Sequence, residues 1–91
     1  MANEQFKMEI KTLDILFGLG DDAIRIWCFA RMLETTRKWK YVSFGQIMED
    51  LDISNLKTSE ALSALKRKGL ARVFSDENGS AYVAIMEAGG V

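Results

Sequence analysis

The sequence predicts one mainly α-helical domain of the α+β class that ends in a small β-hairpin. Apolar residues recur at helical spacing through most of residues 4–68. Residues 70–85 change to two β-prone runs on either side of a turn sequence. The chain has 91 residues, of which 48% are hydrophobic, so we expect a single domain with one core over residues 1–91.

The first predicted helix covers residues 4–17 and carries one apolar stripe. Its members are three or four positions apart, which is the spacing of a helix face: Phe6, Ile10, Leu13 and Phe17. Gly18 and Gly20 follow, and glycine tolerates the left-handed conformation in which helices stop. The stripe either completes the core of one molecule or forms a dimer interface with a second copy.

The second predicted helix covers residues 21–36, with Asp21 as its capping residue. Its apolar residues occupy more than one face: Ile24, Ile26, Trp27, Phe29, Ala30, Met32 and Leu33. Such breadth is typical of a central core helix, or of a helix that a partner buries on its second side.

Tyr41 and Val42 then predict a short strand, because both residue types favour extended backbone. The next four residues, 43–46, fit an S-x-x-Q capping box, in which Ser43 and Gln46 satisfy each other's backbone donors. The short helix that follows has four residues at positions that face inward: Phe44, Ile47, Met48 and Leu51.

A tight turn at Asp52 and Ile53 leads to a further helix over residues 55–68, with Ser54 as its cap. The predicted apolar face of this helix consists of Ala61, Leu62 and Leu65. Gly69 ends it.

The hairpin is predicted from the runs 70–74 and 80–85, which flank the turn segment Ser75-Asp76-Glu77-Asn78-Gly79. Within that segment, Asn78-Gly79 is a strong hairpin signal because both residues accept positive φ. Residues 87–91 are expected to be a loose tail beyond a folded unit of residues 21–86.

The cations are concentrated in one part of the chain, although the formal net charge is only −1. Residues 1–36 carry four cations and six anions, whereas residues 73–91 carry three anions and no cation. Residues 37–72 carry eight cations and four anions, a net charge of +4. The summed charge therefore conceals a basic central segment, which is a feature of nucleic-acid binding.

The order helix, helix, short strand, helix, turn, helix, hairpin resembles a winged helix-turn-helix domain. The string Leu65-Lys66-Arg67-Lys68-Gly69-Leu70 supports the match, since MarR- and ArsR-type regulators of bacteria, archaea, plasmids and phages join recognition helix to wing in a similar way. The resemblance covers residues 21–86, with residues 4–17 as an additional helix. It implies that residues 44–51 and 55–68 are the two helices of the motif and that the second one reads DNA.

The recognition helix of such a domain presents its exposed N-terminal part to base edges in the major groove. The resemblance therefore implies base contacts from Asn55, Lys57, Ser59, Glu60 and Ser63. Lys57 is the leading candidate, because lysine can donate to guanine O6 and N7. Solvated helix surface is the alternative interpretation of these residues.

Phosphate contacts are expected from the basic clusters and from the two capping serines. The candidates are Arg37, Lys38, Lys40, Ser43, Ser54, Lys66, Arg67, Lys68 and Arg72. Their alternative roles are simple capping for the serines and interaction with the negative ends of helices for the cations.

The tip of the predicted wing departs from the family pattern. A wing that enters a minor groove usually carries Arg or Lys, whereas this tip carries Asp76 and Glu77. We therefore expect the wing to stay clear of the duplex or to contact protein.

These features predict a cytoplasmic, nucleoid-associated protein that binds specific double-stranded DNA as a homodimer and acts as a transcriptional repressor or a plasmid- or phage-type regulator. The alternative is a winged-helix protein-interaction module without specific DNA binding. An enzyme is not expected, because the chain has no histidine and its single cysteine, Cys28, lies between aromatic residues. We expect no metal, cofactor, small-molecule effector or membrane association.

Overall fold

The structure is a computed structural model that describes residues 10–87. Within this range, the helices are α1 (Ile10–Phe17), α2 (Asp21–Arg37), α3 (Phe44–Leu51) and α4 (Asn55–Arg67). The strands are β1 (Val42–Ser43), β2 (Ala71–Ser75) and β3 (Ala81–Ile85), and they form one antiparallel sheet in the order β1-β3-β2. The predicted α+β class is confirmed, and the predicted hairpin gains β1 as its third strand.

The face of α1 that packs against the core is not the predicted apolar stripe. Thr12 and Leu16 are its fully buried residues, whereas Ile10 and Phe17 are 84% and 66% exposed. Leu13 is half-buried, and Phe6 lies outside the described residues. Ile10 and Phe17 therefore do not complete the core.

Helix α2 begins one residue earlier than its predicted cap implied. Gly20 is the capping residue, with φ of 100° and no side-chain hydrogen bond, so the prediction of Asp21 as cap is wrong. The positive φ of Gly20 redirects the chain at that point, and Asp21 becomes the first helical residue. The helix ends at Arg37, and Lys38 adopts the left-handed conformation beyond it.

The core is built around α2. Its fully buried Trp27 donates an indole hydrogen bond to the carbonyl oxygen of Met86, 3.1 Å away. Ile24 and Phe29, on its flanks, pack against the same core, and Met32 is exposed. Most of the apolar breadth of α2 is therefore used within one molecule, as expected of a central core helix. The principal residues that surround it are Leu16, Ile47, Leu62, Leu65, Leu70 and Val83.

The two serine caps are confirmed, but the capping box is only half formed. The hydroxyl oxygens of Ser43 and Ser54 accept hydrogen bonds from the backbone N–H groups of Gln46 and Lys57. The amide of Gln46 donates instead to the carboxylate of Asp50, one turn further along α3. The reciprocal contact of a capping box is thus replaced by a pair within the helix.

Helix α4 packs on α2 and β2 through its predicted face. Ala61, Leu62 and Leu65 are all buried, and Thr58 joins them. The helix ends at Arg67, one residue before the predicted end, and Lys68 is its C-terminal cap.

The hairpin has the predicted strands and a five-residue loop, shifted by one position from the predicted segment 75–79. Ser75 pairs with Ala81, which leaves residues 76–80 as the loop. Gly79 has φ of 85°, whereas Asn78 is not in the positive-φ region, so only the glycine of the dipeptide adopts the left-handed conformation. The carboxylate of Asp76 accepts hydrogen bonds from the backbone N–H groups of Asn78 and Ser80, and this organises the loop.

Glu87, the last described residue, is held by two helices. Its carboxylate accepts a hydrogen bond from Thr12 of α1, 2.9 Å away, and forms an ion pair with Arg31 of α2. Arg31 also lies over the ring of Trp27. The prediction of a loose tail is therefore wrong at Glu87, and residues 88–91 lie outside the described part of the chain.

Candidate functional site

The exposed side of α4 is the candidate site. Because Thr58, Ala61, Leu62 and Leu65 face the core, the residues on the opposite side of the helix face solvent. The line that points most directly outward consists of Leu56, Glu60, Ser63 and Arg67. Leu56 is 67% exposed although it is apolar, so the core does not account for it.

One edge of this face continues onto the sheet. Ser59, Ser63 and Lys66 line a shallow depression with Phe44 of α3 and Val73 of β2. Phe44 directly follows Ser43, so the depression brings the start of α3 next to α4. Ser59 and Ser63 also line a neighbouring depression with Glu60 and Arg67. The structure thus brings five of the predicted base- and phosphate-contact residues together: Ser59, Glu60, Ser63, Lys66 and Arg67.

Lys57 lies on the other edge of α4. It lines a different depression, together with Glu60, Asp21 and Asp22. The two aspartates stand at the start of α2, so the surroundings of Lys57 are acidic. The leading base-contact candidate is therefore separated from Ser59, whereas helical periodicity puts Asn55, at the first position of α4, on the edge with Ser59.

The cations of the basic segment make no ion pairs in the part of the chain that the structure describes. The three ion pairs within residues 10–87 use Arg25 and Arg31 of α2. All eight cations between Arg37 and Arg72 are exposed. Their charge is thus not neutralised by contact with carboxylates, and it is available to an anionic partner.

Apart from Lys57, these cations lie in three places. Lys66 and Arg67 border the depressions on α4, and Lys68 follows them. Arg72 precedes Val73 in β2, and neighbouring strand residues point to opposite faces of the sheet. The Arg72 side chain therefore lies on the face away from α4. The remaining cluster of Arg37, Lys38 and Lys40 precedes β1, at the sheet edge away from β2.

The acidic tip of the hairpin has a structural explanation in Asp76. In addition to the two backbone N–H groups of the loop, its carboxylate accepts a hydrogen bond from the Tyr82 hydroxyl, 3.3 Å away. The negative charge of Asp76 raises the pKa of Tyr82, and partial burial and the hydrogen bond add to the effect. Glu77 at the tip is exposed.

A cluster of three rings that the sequence did not predict lies on the outer side of the sheet, and we call it the aromatic sheet face: Tyr41, Phe74 and Tyr82. The centroid of the Tyr41 ring lies 5.3 Å from that of Phe74 and 5.5 Å from that of Tyr82, in edge-to-face arrangements. Phe74 and Tyr82 are cross-strand partners. Phe74 and Tyr82 are equally far from the hairpin loop, so their pairing could have been predicted from the sequence. The position of Tyr41 could not, because it depends on the pairing of β1 with β3.

Other classes of site find no support in the described residues. Cys28 is half-buried, and burial raises the pKa of its thiol, which disfavours the reactive thiolate. Residues 10–87 contain no group of three or more His, Cys, Asp or Glu side chains arranged for a metal ion. None of the described helices is both long and apolar enough to span a membrane. No protein-family model matches the chain, and no curated protein or solved structure shows significant similarity to it.

Proposed function

We propose that this chain binds specific double-stranded DNA as a winged helix-turn-helix protein, with α4 as its recognition helix. The observation that carries the proposal is the polar, exposed N-terminal face of α4 beside cations that have no carboxylate partners within residues 10–87. The order of elements and the antiparallel sheet that follows α4 are those expected of this fold.

The relative position of α3 and α4 supports the proposal. Asp52, with φ of 54°, and Ser54, the cap of α4, make a connection of three residues between the two helices. Both helices pack against α2, so their starts are fixed relative to each other. A short, rigid connection of this kind is what lets the first helix lie against the phosphate backbone while the second enters the major groove.

The base contacts that we propose lie on the outer line of α4 and on the edge with Ser59. Asn55 can pair with adenine, Glu60 can accept from cytosine N4, and Leu56 can contact a thymine methyl group. Ser59 and Ser63 add short hydroxyl donors in the same region. Lys57, which faces Asp21 and Asp22, is placed to approach a phosphate at the edge of the groove rather than a base.

The phosphate contacts that we propose come from Lys66 and Arg67, with the backbone N–H groups at the starts of α3 and α4. The hydroxyls of Ser43 and Ser54 are engaged as caps, so these residues act by holding the helix ends in place. The hairpin stays clear of the duplex because its exposed tip carries Glu77 and Asp76.

We further propose that the protein acts in the cytoplasm as a homodimeric repressor or plasmid- or phage-type regulator. A dimer with two-fold symmetry presents two copies of α4 to successive major grooves and doubles the number of phosphate contacts. The exposed Ile10 and Phe17 of α1 supply apolar surface for the interface, with half-buried Leu13 beside them.

The proposal is tested by selecting bound duplexes from random sequence and measuring the affinity of the recovered site. Ser63→Asp puts a negative charge on the outer line of α4 and should abolish specific binding. Ser80→Asp makes the same change at an exposed position in the hairpin loop and serves as the matched control, with affinity retained. Failure to enrich any sequence, or equal affinity of the two variants, would contradict the proposal.

The salt dependence of binding gives a second measurement on the same complex. Replacing Lys66 or Arg67 by alanine should lower the slope of log affinity against log salt by about one unit each. Lys57→Ala should weaken specific and non-specific binding to a similar degree, because we assign Lys57 to a phosphate. If Lys57→Ala weakened only specific binding, Lys57 would be a base contact rather than a phosphate contact.

A protein-interaction module without specific DNA binding is the second candidate. The exposed acidic tip at Glu77 and the formal net charge of −1 favour it. Such a module would give no enriched sequence in the selection and no specific band in a mobility shift at moderate salt.

A further inference from the structure

The aromatic sheet face is separated from the proposed duplex-binding surface by the sheet itself. Side chains alternate between the two faces of a strand, and Val73 points to the side of α4. Phe74 and its cross-strand partner Tyr82 therefore point to the other side. Ser43, which pairs with Tyr82, puts Tyr41 on that same outer side, where its ring touches both others.

The rings of the aromatic sheet face remain accessible. Tyr41 is 51% exposed, Phe74 is 38% exposed, and Tyr82 is half-buried. Within residues 10–87, the cluster consists of these three rings and contains no aliphatic side chain. The surface is thus built from flat rings, on which a planar group can stack.

Cations border these rings. The segment 37–41 has the sequence Arg-Lys-Trp-Lys-Tyr, in which aromatic residues alternate with basic ones, and all five residues are exposed. The Arg37 guanidinium lies over the ring of Trp39, 5.5 Å from its centroid. Arg72 leaves the sheet on the same side as Phe74. Of the nearby anions, Asp76 already accepts three hydrogen bonds from the hairpin.

We propose that the aromatic sheet face and the segment 37–41 bind single-stranded nucleic acid. Bases would stack on the exposed rings of Tyr41 and Phe74, while Lys40 and Arg72 contact the phosphates. Exposed aromatic rings beside unpaired cations are the combination by which proteins hold single strands without reading their sequence. A protein partner would use the same rings and arginines, but Lys38 and Lys40 favour a phosphate backbone, since lysine is depleted at protein interfaces.

Binding of a single strand here does not depend on the proposed recognition of a duplex by α4. The two surfaces lie on opposite sides of the sheet and share no residue. A protein with both would hold a duplex on one side and unpaired bases on the other.

The proposal is tested by fluorescence anisotropy with a labelled oligothymidine of about 12 nucleotides, within the usual range of site sizes. The unmodified protein should bind this strand with strong salt dependence. An abasic strand with the same number of phosphates should bind more weakly, because it offers nothing to stack. Equal affinity for the two strands, or no binding of oligothymidine at low salt, would overturn the proposal.

Variants locate the site. Tyr41→Ala should reduce affinity for oligothymidine by about 5- to 150-fold, the loss of one stacked base, whereas Tyr41→Phe retains the ring and the affinity. Ser63→Asp should leave single-strand binding intact, and Tyr41→Ala should leave duplex binding intact. Equal affinity of Tyr41→Ala and the unmodified protein would refute the site, with thermal melting confirming that the variant is folded.

Discussion

At the scale of single residues, Asp76 has two effects: it stabilises the conformation of the hairpin loop and it raises the pKa of Tyr82. Its carboxylate accepts two backbone hydrogen bonds and one from the Tyr82 hydroxyl. An acidic residue that looks unsuited to a DNA-binding wing is therefore required by the turn. The same charge opposes loss of the Tyr82 proton, so the pKa of Tyr82 lies above its ordinary value of 10.0.

Asp76→Asn should lower the pKa of Tyr82 towards that ordinary value, because it removes the adjacent charge but retains an oxygen that can accept the backbone hydrogen bonds. The chain has two tyrosines. In a Tyr41→Phe background, tyrosinate absorbance during an alkaline titration therefore reports on Tyr82 alone. An unchanged titration curve would show that Asp76 does not set this pKa.

The raised pKa also fixes the sign of its effect on stability. Between the ordinary and the raised pKa, the folded protein keeps a proton that the unfolded chain has lost. The contribution of Tyr82 to the free energy of unfolding is therefore fully present below pH 10 and declines as the pH rises through the folded-state pKa.

At the scale of elements, α4 divides its surface between the core and solvent. Leu65 is 0% exposed on the side that packs against α2 and β2, whereas Leu56 is 67% exposed near the start of the same helix. The two leucines are chemically identical, so any difference between them reflects position. Leu65 and its buried neighbours hold α4 in the fold, and the exposed side of the helix is accessible to a partner.

Leu65→Ala should lower the free energy of unfolding by about 2–5 kcal/mol, because it removes buried methyl groups and leaves a cavity. Leu56→Ala is the matched control and should change it by about 0.5 kcal/mol or less. Denaturant titration measures both. Comparable losses in the two variants would mean that Leu56 is covered in solution, for example by a second copy.

At the scale of the whole molecule, the apolar surface of α1 decides the state of association that we propose. Thr12 and Leu16 attach α1 to the core, and Thr12 also donates to Glu87, so the helix is fixed in place. Ile10 and Phe17 remain on its exposed side. A fixed helix with exposed apolar residues suits an interface between two copies, because little conformational freedom is lost when they associate.

Replacing both Ile10 and Phe17 by serine should convert a dimer into a monomer in sedimentation equilibrium, with the helical circular dichroism retained. For the unmodified dimer, the selected DNA site should be a palindrome whose half-sites lie about one turn, roughly 34–36 Å, apart. Leu56 of α4 is about as exposed as Phe17, so Leu56→Ser is the control. This variant should remain dimeric. An unmodified protein that sediments as a monomer at all concentrations would exclude this interface.

The sequence by itself determined the elements and their order, because local physics is enough for these. Glycines and serine caps bounded the helices, the spacing of Ala61, Leu62 and Leu65 gave the inner face of α4, and the β-prone runs gave the hairpin strands. The segregation of charge was also readable, since it depends only on position in the chain.

The tertiary structure alone decided which residues share a surface. Lys57 and Ser59 are two positions apart, yet packing places Lys57 beside Asp21 and Ser59 beside Val73. Glu87 is held by Thr12 and Arg31, more than 50 positions away, which no local pattern reveals. The aromatic sheet face arises in the same way, because Tyr41 meets Phe74 and Tyr82 only when β1 pairs with β3. Contacts between distant residues depend on the register and packing of whole elements, and those are set by the complete fold.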